Sequence, residues 1–138
     1  MRGLPARRVV LGHEANMVEV GSKEEIARSC HTYLLLSDEE RTRSDLFRFW
    51  DYLFFHLATS SESAALTWSI IKDIAGMGLT DAQFIDLAAG PFEEMLVSLS
   101  SPLPSLFDEY DVDLARRLAS HVWLSHATSS VRDWIARV

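Results

Sequence analysis

Five histidines and a single cysteine are the side chains in this 138-residue sequence best suited to nucleophilic or metal chemistry. His31 directly follows Cys30, and a Cys-His nucleophile needs the thiol within hydrogen-bond reach of the imidazole. Neighbouring residues on a helix point about 100° apart, so this pair needs tertiary geometry to bring it together. His121 and His126 are five apart, off the i, i+4 spacing with which a helix offers two imidazoles to zinc. His126 lies near an apolar stripe and reads as a satisfied core histidine. Asp111-Val112-Asp113 opens like a calcium loop, but no glycine follows at the sixth position and the next residues are helical in pattern. Glu93 and Glu94 diverge on a helix and cannot share a reacting group. There is no G-x-S-x-G elbow, P-loop or G-x-G-x-x-G. The expectation is therefore no catalytic residue, no metal ligand and no cofactor. An enzyme whose site is assembled from distant residues stays as an alternative.

Charge is the sharper signal. The formal net charge is −7, and from Asp73 to Asp113 run Asp73, Asp81, Asp86, Glu93, Glu94, Asp108, Glu109, Asp111 and Asp113 without one Lys or Arg. Such a surface repels phosphate backbones, which argues against nucleic acid as a ligand. It favours encounter with a basic protein. Glu93, Glu94, Asp108, Glu109, Asp111 and Asp113 are the candidate protein-binding residues; a solvated face whose carboxylates cap helices is the plainer reading.

The elements that position these residues are helical. Ser22 with Glu25, Ser37 with Glu40, and Thr80 with Gln83 have capping-box spacing, each ahead of an apolar stripe. The second box starts a region running to Ala58, with a kink near Ser44. There Leu46, Phe49, Trp50, Leu53, Phe54 and Leu57 share one broad face while Tyr52 and Phe55 lie opposite. A helix apolar on nearly all sides is expected to be the buried centre of its domain. A third helix follows Thr59-Ser60-Ser61, buries Ala64, Trp68, Ile71, Ile74 and Ala75, and stops at Gly76-Met77-Gly78. In Leu87-Ala88-Ala89-Gly90-Pro91-Phe92, Gly90 is expected to close one helix in the left-handed conformation and Pro91 to open the next, a zero-length corner. Asp111 is the expected N-cap of a late helix with Val112, Ala115, Leu118, Ala119 and Val122 inside. A last helix after Thr128 carries Val131, Trp134, Ile135 and Val138. The fold class is all-α: a single-domain bundle or short stack of helical hairpins, with six to seven helices over residues 22–138. Residues 1–21 are an N-terminal extension in which Val9-Val10-Leu11 and Met17-Val18-Glu19-Val20 are spaced for a short hairpin, docked or mobile.

Hydrophobic residues make up 48% of the chain, with four Trp and seven Phe, which excludes wholesale disorder. A lone cysteine forbids an internal disulfide and fits a reducing compartment. The longest apolar run, Leu46 to Ala58, is interrupted by Arg48, Asp51 and His56 and is too short to cross a bilayer. Arg2, Arg7 and Arg8 are followed by no apolar core of secretory form, so the expected setting is cytoplasmic.

Phe49-Trp50, Trp68 with Ile71 and Ile74, the Leu87–Leu96 block, and Leu118 with Val122-Trp123 resemble a bacterial family of small proteins of unknown function. Its members share an L-A-A-G-P-L-E-D-L-L-like block. The resemblance covers roughly Leu46 to Val138, with Phe92 in place of the usual leucine and a Pro-rich stretch after Leu99. It implies a helical fold and brings no reaction, cofactor or catalytic residue. The functional expectation is a non-enzymatic protein-binding domain with an acidic docking face, of the antidote or immunity type that inhibits a basic protein. A homo-oligomeric structural or adaptor protein is the alternative, with the N-terminal segment paired or swapped across the dimer.

Overall fold

The computed structural model describes residues 21–138, and within them every regular element is helical. The hairpin expected in residues 1–21 lies, apart from Gly21, outside the described residues. The elements are α1 (Lys23–Leu35), α2 (Asp38–Arg41), α3 (Phe47–Tyr52), α4 (Ala64–Gly76), α5 (Asp81–Leu87), α6 (Glu93–Ser98), α7 (Val112–Ala119) and α8 (Ser129–Ala136). Two wider π turns extend this set: Leu53–Leu57 continues α3, and Ala88–Phe92 joins α5 to α6. Counted as unbroken helical runs, these make seven.

All three capping boxes form. Ser22, Ser37 and Thr80 each accept a hydrogen bond from the backbone three residues on, and Glu25, Glu40 and Gln83 return one. The expected kink near Ser44 is a break: α2 is a single turn, and α3 starts after it. Gly78, at φ +92°, stops the chain after α4 in a conformation that side chains resist.

The centre of the domain is α4, not α3. On α4 Ile70, Ile71 and Ile74 are fully buried and Trp68 nearly so, packed between α1 on one side and the π turns on another. Each such side chain contributes roughly 1.5–3 kcal/mol by leaving water. Around it close Ile26, Cys30 and Leu34 of α1, Leu87, Phe92, Met95 and Leu96 of the α5–α6 run, and Leu118, Val131 and Ile135 of the last two helices. In α3 and its π turn Phe49, Tyr52, Leu53 and Leu57 are buried, but Phe47 and Phe55 are 46% and 53% exposed. An all-round apolar sequence here marks a helix at the edge that keeps part of its apolar surface outside.

The corner at Gly90 does not form. Gly90 has no positive φ, and Leu87 and Glu93, on either side of the π turn, both have right-handed helical angles. The helix therefore runs through from Asp81 to Ser98 with Pro91 inside it. A proline in a regular helix lacks a donor and crowds the carbonyl four residues back; the wider turn accommodates both defects. Gly90 is needed for space. A Cβ there would lie 2.9 Å from Cε2 of Phe54 and 3.3 Å from Cζ2 of Trp50. The second π turn thus packs against the first, and a missing side chain is what allows it.

Candidate protein-binding site

Among the described residues, Asp111 is the buried charged one. It stands at the N-cap position of α7, yet its side chain makes no bond to that helix. Oδ2 instead accepts from the Trp68 indole Nε1 at 3.0 Å and from the Asp108 backbone N–H at 3.1 Å, while Oδ1 lies 3.3 Å from Lys72 Nζ. The residue is 6% exposed. Burial alone would raise its carboxyl. The hydrogen bonds from Trp68, Asp108 and Lys72, together with the Lys72 charge, outweigh that and hold it below the ordinary aspartate value. Asp108 closes the turn before α7: its Oδ1 accepts from the backbone N–H groups of Tyr110 and Asp111 at 2.8 and 3.0 Å. Asp108 thus closes the turn and Asp111 fastens it to α4, while no side chain caps α7 itself.

Between this turn and the first half of α4 lies an open cleft of about 330 Å³, lined by Ser61, Glu62, Ser69, Lys72, Leu103, Ser105, Leu106, Asp108 and Asp111 among others. Its three carboxylates outnumber its single ammonium. Tyr110, 86% exposed, projects from the same turn between Glu109 and Asp111. Apolar walls, serine hydroxyls and excess negative charge suit an ammonium or guanidinium group on a short aliphatic stem. They repel anions.

The other acidic residues are scattered rather than pooled. Glu93 accepts from the backbone N–H of Trp123 at 2.6 Å, and both it and Glu94 are half-buried on α6. Asp113 is exposed and 3.8 Å from Arg116. Asp73 pairs with Lys23 and Asp86 with Arg41, each at 3.3 Å. The cation-free run in the sequence is therefore neutralised in part by cations from outside it. Of the six candidate residues, Asp108, Glu109 and Asp111 lie together with Tyr110, Asp113 follows in the first turn of α7, and Glu93 and Glu94 lie on another helix. Glu62, Lys72 and Trp68 were not legible as site residues, because only the fold sets α4 against the 108–111 turn.

The histidine and cysteine readings are also decided. Cys30 is fully buried, and burial pushes its thiol far above the range in which a thiolate forms at neutral pH. His31 uses Nε2 on the Gly78 carbonyl at 2.8 Å. His126 is exposed and no core histidine, since α7 ends at Ala119 and the chain around it is irregular. Among the described residues no three His, Cys, Asp or Glu side chains are grouped as a metal ion would require, and no helix is long and apolar enough to cross a membrane. Comparison with protein-family models, curated proteins and solved structures found no match.

Proposed function

We propose that this chain is a non-enzymatic protein-binding domain that receives the basic surface of another protein at the cleft between α4 and the 108–111 turn. The observation that carries the reading is the pairing of that cleft's excess carboxylates with Tyr110, the most exposed large apolar side chain described. Interfaces are anchored by exposed aromatic residues beside pockets, and opposite charge speeds encounter. A Lys or Arg of the partner enters among Glu62, Asp108 and Asp111, with Tyr110 against its stem or its neighbour. An antidote or immunity-type role against a basic protein in the cytoplasm fits this chemistry. The resemblance of the Leu87–Leu96 block to a bacterial family is compatible with that role and adds no ligand.

The test is affinity purification of the tagged full chain from its native cells at low and raised salt, repeated with Glu62→Lys, Glu109→Lys and Tyr110→Ala. A basic partner recovered at low salt, weakened by each substitution and lost as salt rises, is the expected result. Asp111 is left out of the set because its reversal would strand buried donors and unfold the turn. Recovery of the same partner by all three variants would remove the cleft as the docking site.

A further inference from the structure

The two carboxylate oxygens of Asp111 have different duties. Oδ2 takes the Trp68 indole N–H and the Asp108 backbone N–H, two neutral donors that tie the turn to α4. Oδ1 faces the Lys72 ammonium at 3.3 Å, and both residues line the cleft. The same ammonium lies 5.9 Å from the centre of the Trp68 ring. A carboxylate oxygen beside an aromatic ring is a seat for a cation, because the negative charge and the ring's quadrupole attract the same group. In the free protein the cation in that seat belongs to the chain itself.

We infer that Lys72 is an internal competitor at this cleft: its ammonium holds the seat between Asp111 Oδ1 and Trp68 until an alkylammonium or guanidinium group of the basic partner replaces it. The inference rests on the reading of the cleft as a docking site and adds how that site is filled and released. Three features favour exchange over a fixed bridge. Asp111 is buried but the Lys72 side chain is partly exposed, so the carboxylate stays in place while the ammonium can leave into water. Of thirteen Lys and Arg residues only Lys23 and Lys72 are lysine. A lysine is a point charge on a flexible stem, whereas an arginine grips with a planar fork, as Arg41 does on the Tyr33 and Leu34 carbonyls and on Asp86. The buried carboxylate is thus met by the cation that lets go more readily. Glu62 and Asp108, finally, line the same cleft and have no ion pair among the described residues, so a second cation is drawn in. It and the Lys72 ammonium then repel each other. The partner's cation is held by the rest of its interface, and Lys72 gives way. A lone cation in solution meets a filled seat, which biases the cleft towards a surface that presents several positive charges.

The experiment is calorimetric titration of the full chain with a capped tetra-arginine peptide at low salt, with urea unfolding of each variant alongside. Lys72→Met keeps the aliphatic stem and removes the charge. Lys23→Met removes a charge from the ion pair with Asp73, outside the cleft, and so controls for net charge. The two readouts should move in opposite directions: Lys72→Met is less stable than wild type yet binds the peptide about tenfold more tightly, whereas Lys23→Met changes binding by less than about twofold. Lys72→Arg, which keeps the charge with a firmer grip, should bind no better than wild type. Glu62→Lys separates the inference from the docking reading beneath it. If peptide binding ignores Glu62→Lys, the peptide does not enter the cleft, and the docking reading falls together with the inference. If Glu62→Lys weakens binding but Lys72→Met binds no better than Lys23→Met, the cleft stands and Lys72 is only a structural partner of Asp111. A peptide bound by neither wild type nor Lys72→Met overturns the inference as well.

Discussion

The turn before α7 and the outer face of α3 both show aromatic side chains to solvent, but they hold them in opposite ways. Around Tyr110 the fixed parts are polar: Asp111 fastens the turn to Trp68 and Lys72, and Asp108 closes it. Around Phe47 and Phe55 the fixed parts are other rings and a glycine. A carboxylate network commits a surface to a charge sign and hence to a class of partner. A ring series held by close packing commits it to a shape. The first depends on pH and salt, and the second on volume.

The largest expected effect comes from breaking the polar side. Asp111→Ala leaves the Trp68 N–H and the Asp108 N–H without their acceptor and Lys72 without its counter-ion. Lys72 is partly exposed, which discounts its share, so the expected loss is about 2–3 kcal/mol in urea unfolding. Asp111→Asn isolates the charge. Because the folded carboxyl is held below its ordinary value, its stabilisation is complete above the unfolded carboxylate range and is lost as pH falls through the folded one. The stability gap between wild type and Asp111→Asn should thus be full at pH 7 and shrink below about pH 4. A gap independent of pH would mean that hydrogen-bond geometry, not charge, holds the turn.

The volume side should break at Gly90. Gly90→Ala drives a methyl into the Phe54 ring and against Trp50, an overpacking expected to cost about 1–3 kcal/mol, and near the lower end because rings at an edge can shift. Gly76→Ala is the control, with nothing within 4 Å of the added carbon at the end of α4. It should be neutral or stabilising by up to about 1 kcal/mol. If both substitutions behave alike, the contact between the two π turns is not tight.

Gly90 also marks where the sequence was legible and where it was not. The three capping boxes are local, each closed within four residues, and all three form as their spacing predicts. The all-helical class and the run of helices follow from periodicity in the same way. Gly-Pro, however, has two physical meanings: a left-handed stop before a new helix, or a close approach inside a widened turn. Only Phe54 and Trp50, more than thirty residues away in the chain, choose between them. The same holds for α3, whose apolar residues read as central but lie at an edge, and for Asp111, whose cap position was legible while its partners Trp68 and Lys72 were not. A charge run lists carboxylates without the cations that neighbouring helices bring to them, as Lys23 and Arg41 do for Asp73 and Asp86.

A smaller effect sharpens the contrast between polar groups that are held and polar groups that are not. Thr67 is fully buried on α4, and its hydroxyl has no hydrogen-bond partner among the described residues, one position from the well-satisfied Trp68. Thr67→Val keeps the shape and removes an unmet polar group, so it should raise stability by about 1 kcal/mol. An unchanged or lowered melting temperature would mean that the hydroxyl finds water inside the core.

The smallest expected effect is the most informative about the outer face of α3. Phe55 is 53% exposed and stacks on Phe54. In a monomer Phe55→Ser removes one half-exposed ring face, and surface changes of that kind stay within about 0.5 kcal/mol. Measured by urea unfolding at protein concentrations low enough to keep the chain monomeric, the substitution should be nearly silent. Repeated at high concentration it should stay silent unless copies of the chain associate through this face, in which case the midpoint falls as that mass-action stabilisation is lost. A larger cost, at any concentration, would place Phe55 in the monomer's own packing, and the outer face of α3 would then resemble the core around α4.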